Sequence, residues 1–283
     1  MWRTIALFIC MILCWIIVPS HAAEISCVDT YDGRFDNKDA RNLWPSGRMP
    51  IADVTCFSGL LQGQISKGDY EKVVTFLKAH HPFLGTFGLV SRGGDVDEAL
   101  KIGRLFRKYL ISTQAQFQFP QYDRRLPRRL DWDEAIATGV IVLDLFAAPD
   151  MPPCRGQDCT CASACALIWF GGVRRAGHVG VHRPQIMDPM FKGLSPADAS
   201  TAYRRALASI AAYLDEMEVP KSIIESMVTT SSSDIRWVDA GNDGLERVPP
   251  SIAEWEYASC GSSAASVCTG RLLANNRDRL APP

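Results

Sequence analysis

The 283-residue sequence lacks a marked excess of either charge. Its 30 Lys and Arg residues nearly balance 31 Asp and Glu, which leaves a formal net charge of −1. This balance argues against a protein that binds nucleic acid by electrostatic attraction. The sequence also lacks internal repeats and, beyond its first twenty residues, any uninterrupted apolar run of about 18 residues, the length that a membrane-spanning helix needs. Seven Trp, seven Tyr and twelve Phe argue against a disordered chain.

The N-terminus has the pattern of a secretory signal. Arg3 is the only charged residue in the first 23, an apolar run of about fourteen residues follows it, and Ser20 and Ala22 fit a cleavage site after Ala22. The run is short for a membrane span, although an uncleaved N-terminal anchor is the alternative. No Leu-x-x-Cys precedes Cys27, which argues against a lipoprotein. We therefore expect a signal peptide over 1–22 and a periplasmic or secreted protein with no membrane span after cleavage.

Ten cysteines are many for this length, and two of them lie within the signal. An even number in an exported chain predicts disulfides. The sequence favours Cys27 with Cys56 and Cys260 with Cys268, one pair near each end, and the middle four do not match the paired C-x-x-C spacing of common zinc sites. We therefore predict disulfides and no metal, with the connectivity of the middle four left open. The eight cysteines are Cys27, Cys56, Cys154, Cys159, Cys161, Cys165, Cys260 and Cys268.

The pattern of apolar residues predicts an α/β organisation. A capping box at 66–69 predicts a helix over 70–80, and the apolar run 84–90 predicts a buried strand. A Gly-Gly turn, a helix capped by Asp95 and a second strand over 112–118 complete a crossover unit. Further helices are expected after Ser195 and from Pro220.

The rest of the chain is less regular. Residues 23–50 are polar and rich in Gly, Pro and Asn, so we expect an irregular N-terminal segment there. The segment 119–160 carries four arginines within six residues, which could contact an anion but more simply form a solvated basic loop. Residues 249–283 are expected to be a C-terminal tail held by a disulfide.

Two short segments suggest chemistry. Ser163 lies among small residues at the start of an apolar helix, where little bulk blocks its Oγ and free backbone N–H groups favour negative charge. His182 ends a short strand just before Pro184 and could face that serine as a general base. Each feature alone is more often structural, since such a serine commonly serves helix packing and a lone histidine commonly serves the core.

Three motifs together resemble the Clp protease proteolytic subunit, within the Clp protease/crotonase-like superfamily. LVSRGG at 89–94 is similar to its Ser-Pro-Gly-Gly turn, ASACA at 162–166 to its nucleophile segment, and VHRP at 181–184 to its Ile-His-Gln-Pro segment. They occur in the family's order and span roughly residues 50–245. Arg92 stands in place of the turn proline and Cys165 in place of a glycine. The resemblance implies stacked ββα units in a single domain over 51–248 and, as an expectation, assembly into homo-oligomers.

The resemblance also implies roles for individual residues. Ser163 would be the nucleophile and His182 the base. The N–H of Gly94, or of Gly93, and that of Ala164 would form the oxyanion hole. The family's orienting Asp has no clear counterpart here. We take Asp234 for it, with a catalytic dyad or a hydroxyl-supported histidine as alternatives.

These observations predict an exported, ATP-independent serine hydrolase, most simply a peptidase acting on peptides or unfolded chains without a cofactor. The principal alternative is an inactive Clp-like interaction or scaffold domain. A crotonase-type acyl-CoA enzyme is disfavoured by export, because free coenzyme A is cytoplasmic. A cysteine-based redox or metal protein is the remaining alternative.

Overall fold

The computed structural model describes residues 22–31, 55–80, 84–115, 160–184 and 193–260. Within those ranges the chain is a mixed α/β protein of seven strands and six helices, which confirms the predicted α/β class. None of the helices described there is long and apolar enough to cross a membrane. The predicted signal and the arginine-rich segment fall almost wholly outside these ranges.

The main sheet has five strands in the order β1-β2-β3-β4-β5. Strands β2 to β5 are parallel and β1 is antiparallel to β2. Strand β3 is buried at every residue, as expected for an inner strand covered on both faces. The strand bounds are β1 Glu24–Tyr31, β2 Thr55–Gln62, β3 Thr86–Val90, β4 Ser112–Ala115 and β5 Arg175–Ala176.

Two helices connect the parallel strands. Helix α1 (Asp69–His80) joins β2 to β3, and α2 (Val96–Lys108) joins β3 to β4. Half of the predicted capping box is present, because the Asp69 carboxylate accepts a 2.7 Å hydrogen bond from the Ser66 N–H. The Ser66 hydroxyl instead donates to the Gln64 carbonyl, and the Asp69 N–H donates to the Ser66 carbonyl. Asp95 caps α2 by accepting from the Glu98 N–H. Strand, Gly-Gly turn, helix and strand therefore follow in the predicted order.

The expectation of an irregular segment over 23–50 is wrong for its first residues. Glu24–Tyr31 forms β1, which pairs antiparallel with β2 from Glu24↔Gln62 to Tyr31↔Thr55. A disulfide joins Cys27 of β1 to Cys56 of β2, the pair that the sequence favours at this end. The polar composition of this segment alone favours a loop. Backbone pairing with β2 and the disulfide together hold it in a strand.

A second sheet extends the first beside the carboxyl end of β3. It pairs β6 (His178–Val181) antiparallel with β7 (Arg236–Asp239). Two single bridges connect the sheets, Ser91 to Cys161 and Ala162 to Gly180. The two-residue segment 161–162 therefore lies between the end of β3 and β6, and α3 (Ala164–Gly171) begins directly after Ser163.

The C-terminal half packs helices against this framework. Helix α4 (Pro196–Glu216) has Ser195 as its N-cap, and α5 (Lys221–Thr229) follows Pro220, both as predicted. Part of the expected C-terminal tail is instead helical, as α6 (Pro250–Cys260). Pro250 at the first position favours a helix start. The Ser- and Ala-rich composition of the region did not indicate this helix.

The buried Glu98 carboxylate connects α2 to the start of α1. It accepts 3.0 Å hydrogen bonds from the N–H groups of Gly68 and Tyr70 and a 2.9 Å bond from the Lys101 ammonium. Burial alone raises the pKa of Glu98, but these donors outweigh it and hold the pKa below its ordinary value. The ionised form is therefore the one that stabilises the fold.

Replacing Glu98 with Gln is expected to destabilise the protein mainly at neutral pH. A lowered folded-state pKa adds stability above the unfolded pKa of about 4.3, and that stability is lost as the pH falls through the folded value. Denaturant unfolding of both proteins from pH 7 to pH 3 measures this. The difference in unfolding free energy should shrink below about pH 4.5; a constant difference would show that the charge of Glu98 contributes nothing.

Candidate active site

Ser163 lies at a sharp junction between the bridging segment and helix α3. Its backbone has φ 58° and ψ −125°, a region that a non-glycine residue occupies at a cost of roughly 1–3 kcal/mol. The Ser163 N–H donates to the Gly180 carbonyl at 2.9 Å, and the Gly180 N–H donates to the Cys161 carbonyl at 2.9 Å. These two bonds hold the strained junction against β6.

The Ser163 side chain has the freedom that a nucleophile needs. It is partly exposed, whereas Ala162 and Ala164 on either side are buried. Although Ser163 is the N-cap residue of α3, its Oγ makes no capping hydrogen bond. The hydroxyl of an N-cap serine usually accepts a hydrogen bond from an N–H group of the first helical turn. In Ser163 no such capping bond occupies the hydroxyl.

The Gly93–Gly94 backbone lies directly against this junction. A Cβ on Gly93 would fall 2.7 Å from the Ser163 Cβ and 3.0 Å from the Ala164 nitrogen. Both glycines have positive φ, 106° and 142°. No side chain fits at either position, because a Cβ on Gly94 would overlap the Ile65 carbonyl.

Hydrogen bonding distinguishes the two glycines. The Gly93 N–H donates to the Ser91 Oγ at 3.1 Å, so it is already used. In the described part of the chain, neither the Gly94 N–H nor the Ala164 N–H has an acceptor. Gly93 and Gly94 are the two alternatives for the first oxyanion donor. Gly94 with Ala164 is the pair in which neither N–H group is occupied by a described acceptor.

Ile65 and Ser91 hold this turn in place, and neither was predicted to have a functional role. The Ile65 N–H donates to the Gly93 carbonyl at 2.9 Å, and the Ile65 carbonyl accepts from the Asp95 N–H at 2.9 Å. Ile65 thus fixes the backbone on both sides of Gly94. Of the two, only Ser91 belongs to a sequence motif, because it begins the Ser-Arg-Gly-Gly turn.

His182 follows the last residue of β6, as predicted. Its Nδ1 lies 2.8 Å from the Arg183 carbonyl oxygen. Since a carbonyl can only accept, Nδ1 carries a proton in this bond, and in the neutral ring Nε2 then holds the lone pair. The Arg183 N–H donates to the Thr230 carbonyl at 2.9 Å, which holds the backbone on the other side of this residue. When the ring is neutral, the bond to the Arg183 carbonyl selects the tautomer that a general base requires.

Asp234 does not occupy the place that the sequence assigned to it. It is exposed, its N–H donates to the Ser231 carbonyl at 3.0 Å, and no hydrogen bond joins it to His182 among the described residues. Ser231 pairs with Ser233 at 2.9 Å rather than with the histidine. The ring is oriented by a main-chain carbonyl that no pattern of side chains could have indicated.

A buried disulfide encloses the junction. Cys161 and Cys165, two residues before and after Ser163, are bonded with their Cα atoms 5.3 Å apart, and both are fully buried. The sequence predicted disulfides here without their connectivity. Cys154, Cys159 and Cys268 lie outside the described residues, and the side chain of Cys260 is not described. No cluster of three metal-ligating side chains occurs in the described ranges.

Removing the Cys161–Cys165 disulfide is expected to impair the site more than the fold. Its sequence separation is 4, against 29 for Cys27–Cys56, so the loop-entropy relation gives losses of about 2 and about 3.5 kcal/mol. Displacing the junction should slow reaction of Ser163 with an acylating reagent by roughly 10- to 100-fold.

Paired Cys→Ala variants measure both effects. The Cys161/Cys165 variant should react slowly but remain the more stable of the two, whereas the Cys27/Cys56 variant is the matched control with normal reactivity. An unchanged reaction rate in the Cys161/Cys165 variant would contradict a role for this disulfide in the site.

Two arginines fix the other end of α3. Arg175, the buried first residue of β5, donates to the carbonyls of Phe170 and Gly172 at 2.8 and 3.2 Å, and Arg107 donates to that of Gly171 at 3.3 Å. Burial, with a smaller contribution from Arg107, lowers the pKa of Arg175 to about 10, so it stays charged at neutral pH. Cations at a helix C-terminus are favourable, and here they anchor the helix that carries Ser163.

Comparison with known proteins adds little to this geometry. No family model matches the chain, and a search of curated proteins finds no match. Among solved structures, the chain is similar to a mutant of the "1510-N membrane-bound stomatin-specific protease". The likeness covers 74% of this chain and 85% of that one, with 17% sequence identity and a TM-score of 0.37. A likeness this weak carries no argument, so the function has to be inferred from the residues of the site.

Proposed function

We propose that the protein is an exported serine hydrolase of the Clp protease/crotonase-like type that cleaves peptides without ATP. The observation that carries the proposal is the Ser163 junction. A strained, partly exposed serine whose Oγ makes no capping hydrogen bond lies against a Gly-Gly turn, and the N–H groups of Gly94 and Ala164 have no acceptor among the described residues. Backbone strain of this kind persists where the surrounding structure enforces it, often at functional sites.

The proposed reaction is an acyl transfer in two halves. Ser163 Oγ attacks the carbonyl carbon of the scissile bond while its proton passes to His182 Nε2. The negative oxygen that forms is stabilised by the N–H groups of Gly94 and Ala164. The tetrahedral intermediate then expels the amine, which takes the proton from His182, and leaves an acyl group on Ser163. Water, deprotonated by the same nitrogen, releases the acid and restores the serine.

The orientation of His182 by a carbonyl has a consequence for rate. The Arg183 carbonyl fixes the tautomer but carries no net charge, so it stabilises the imidazolium less than a carboxylate does. We therefore expect slower turnover than in enzymes with a complete Ser-His-Asp triad. Asp234 remains the predicted third catalytic residue, beside Ser163 and His182, only if substrate binding brings its carboxylate to the His182 ring.

Export is supported by the disulfides at Cys27–Cys56 and Cys161–Cys165, because such bonds persist mainly in oxidising compartments. Outside the cytoplasm an ATP-driven unfolding partner is absent. The substrates we propose are accordingly short peptides or unfolded chains. Homo-oligomer formation is part of the same proposal.

A fluorophosphonate probe tests the proposal, because it phosphonylates activated serines. The folded protein should be labelled stoichiometrically, the Ser163→Ala variant should not, and the Ser251→Ala variant, altered at an exposed serine far along the chain, should be labelled normally. Equal labelling of Ser163→Ala, or none of the folded wild type, would overturn the hydrolase and favour the alternative of an inactive Clp-like interaction domain.

A further inference from the structure

A buried carboxylate lies beside the start of strand β1. Asp69, the first residue of α1, is fully buried. Its Oδ1 accepts a 2.7 Å hydrogen bond from the Lys72 ammonium, on a side chain that is 48% exposed. Its Oδ2 accepts from the Ser66 N–H at 2.7 Å and from the Ala23 N–H at 3.3 Å. Among the described residues, one oxygen of Asp69 thus pairs with a half-solvated cation, whereas the other meets neutral donors.

The Ala23 backbone is held against this carboxylate. Ala23 is buried, and its carbonyl accepts a 3.2 Å hydrogen bond from the Lys72 ammonium. Ala22 is exposed and forms a bridge to Gln64 of the following turn. The bond between Ala22 and Ala23 is also the one at which the sequence predicts signal cleavage. The nitrogen that faces Asp69 is therefore the nitrogen that this cleavage would release.

Cleavage after Ala22 would change the charge of that nitrogen. Hydrolysis by a signal peptidase consumes one water and leaves a carboxylate on Ala22 and an amine on Ala23, which is mostly protonated at neutral pH. A neutral amide N–H becomes an ammonium with three N–H donors, and a charged donor makes a shorter and stronger bond to a carboxylate. Ala22 and Ala23 also border an open groove between β1 and α1, lined in part by Glu24 and Glu71, where water can accept the remaining hydrogens.

We propose that Asp69 is the binding site for the α-ammonium of Ala23 in the processed protein, so that removal of the signal completes a buried ion pair. The proposal uses the predicted cleavage after Ala22 and is independent of the hydrolase activity. A buried charge is favourable only when it is paired and hydrogen-bonded, and Asp69 supplies both. The uncleaved chain has an amide at this position, so the pair joins β1 to α1 in the processed form alone.

The first measurement is the N-terminus of the protein that a bacterium with a periplasm exports from the full-length chain. Mass spectrometry should find Ala23 there. The α-amine of this protein is then acylated with acetic anhydride at pH 7, and its rate is compared with that of a chain that begins one residue earlier, at Ala22. Because acylation needs the unprotonated amine, we expect the Ala23 amine to react at least about tenfold more slowly. In denaturant the two rates should become equal.

Two variants of the exported protein distinguish an ion pair from burial alone. Asp69→Asn keeps the shape of the side chain but removes its charge, and should bring the rate of the Ala23 amine close to that of the Ala22 amine. Lys72→Gln is the matched control, because it removes the other cation at Asp69 and should leave the Ala23 amine protected. Denaturant unfolding shows whether each variant folds.

The pH dependence of acylation needs no variant, so it decides the matter even if Asp69→Asn does not fold. A carboxylate partner raises the pKa of an amine, whereas burial alone lowers it. The rate of the Ala23 amine should therefore rise at higher pH than that of the Ala22 amine. An exported protein that begins at another residue, equal rates for the two chains, a rise at lower pH, or protection that survives Asp69→Asn would overturn the pair.

Discussion

Replacing Ser163 with Ala is expected to lower hydrolysis of an activated ester or a susceptible peptide by at least about a thousandfold, because the oxygen that would carry the acyl group is removed. Replacing His182 with Ala should cost about 10²–10⁴, because the proton then has no acceptor in place. Together the two substitutions should cost little more than Ser163→Ala alone, since the residues act as one unit. Steady-state rates for the two single variants and the double variant measure all three.

His80→Ala is the matched control for the histidine. His80 ends helix α1, where it contacts Phe76, and it belongs to no part of the site. Its replacement should leave the rate within about twofold of wild type. A His182→Ala protein as fast as the His80→Ala protein would remove His182 from the mechanism, and additive losses in the double variant would show that the two residues act independently.

Replacing Gly171 with Ala is expected to lower the free energy of unfolding by about 3 kcal/mol or more. Gly171 packs helix α3 against Gly103 of α2 at backbone contact, and a Cβ there would lie 2.5 Å from the Gly103 Cα and overlap its carbonyl. No flexible side chain can yield, so the two helices would have to separate. This would also shift the helix that carries Ser163.

Gly85→Ala provides the control for Gly171→Ala. A Cβ on Gly85 has no neighbour within 4 Å, and Gly85 is not among the glycines with positive φ. Its replacement should change stability by less than about 1 kcal/mol and even stabilise slightly, because alanine restricts the unfolded chain. Denaturant unfolding of both variants checks the pair. If Gly171→Ala were as stable as Gly85→Ala, the close contact of α2 and α3 would not exist as described.

Local sequence signals predicted much of the framework because each has a local cause. The Ser66–Asp69 bond, the Asp95 cap and the Ser195 cap each lie at the start of a helix and join residues three apart. The small residues around Ser163 also predicted a helix start there, although its hydroxyl makes no capping bond. What the sequence predicted poorly depends on distant backbone: β1 requires β2 as its partner.

The fine structure of the site was beyond prediction for a related reason. Whether Gly93 or Gly94 offers its N–H depends on the Ser91 hydroxyl and on Ile65, 28 residues away from Gly93 in the chain. The partner of His182 is the carbonyl of Arg183, and every residue has such a carbonyl, so no residue pattern marks it. Asp234 was predicted because the resemblance implies an orienting carboxylate, and a resemblance of this kind could not anticipate a main-chain acceptor.

The proposed mechanism places the acyl group on Ser163 during turnover. The direct measurement is to quench the protein in acid while it hydrolyses an activated ester and to locate the added acyl mass by peptide mass spectrometry. We expect an acyl group on Ser163 of the wild-type protein. Steady turnover with no acylated protein, or an acyl group on any other residue, would contradict the mechanism.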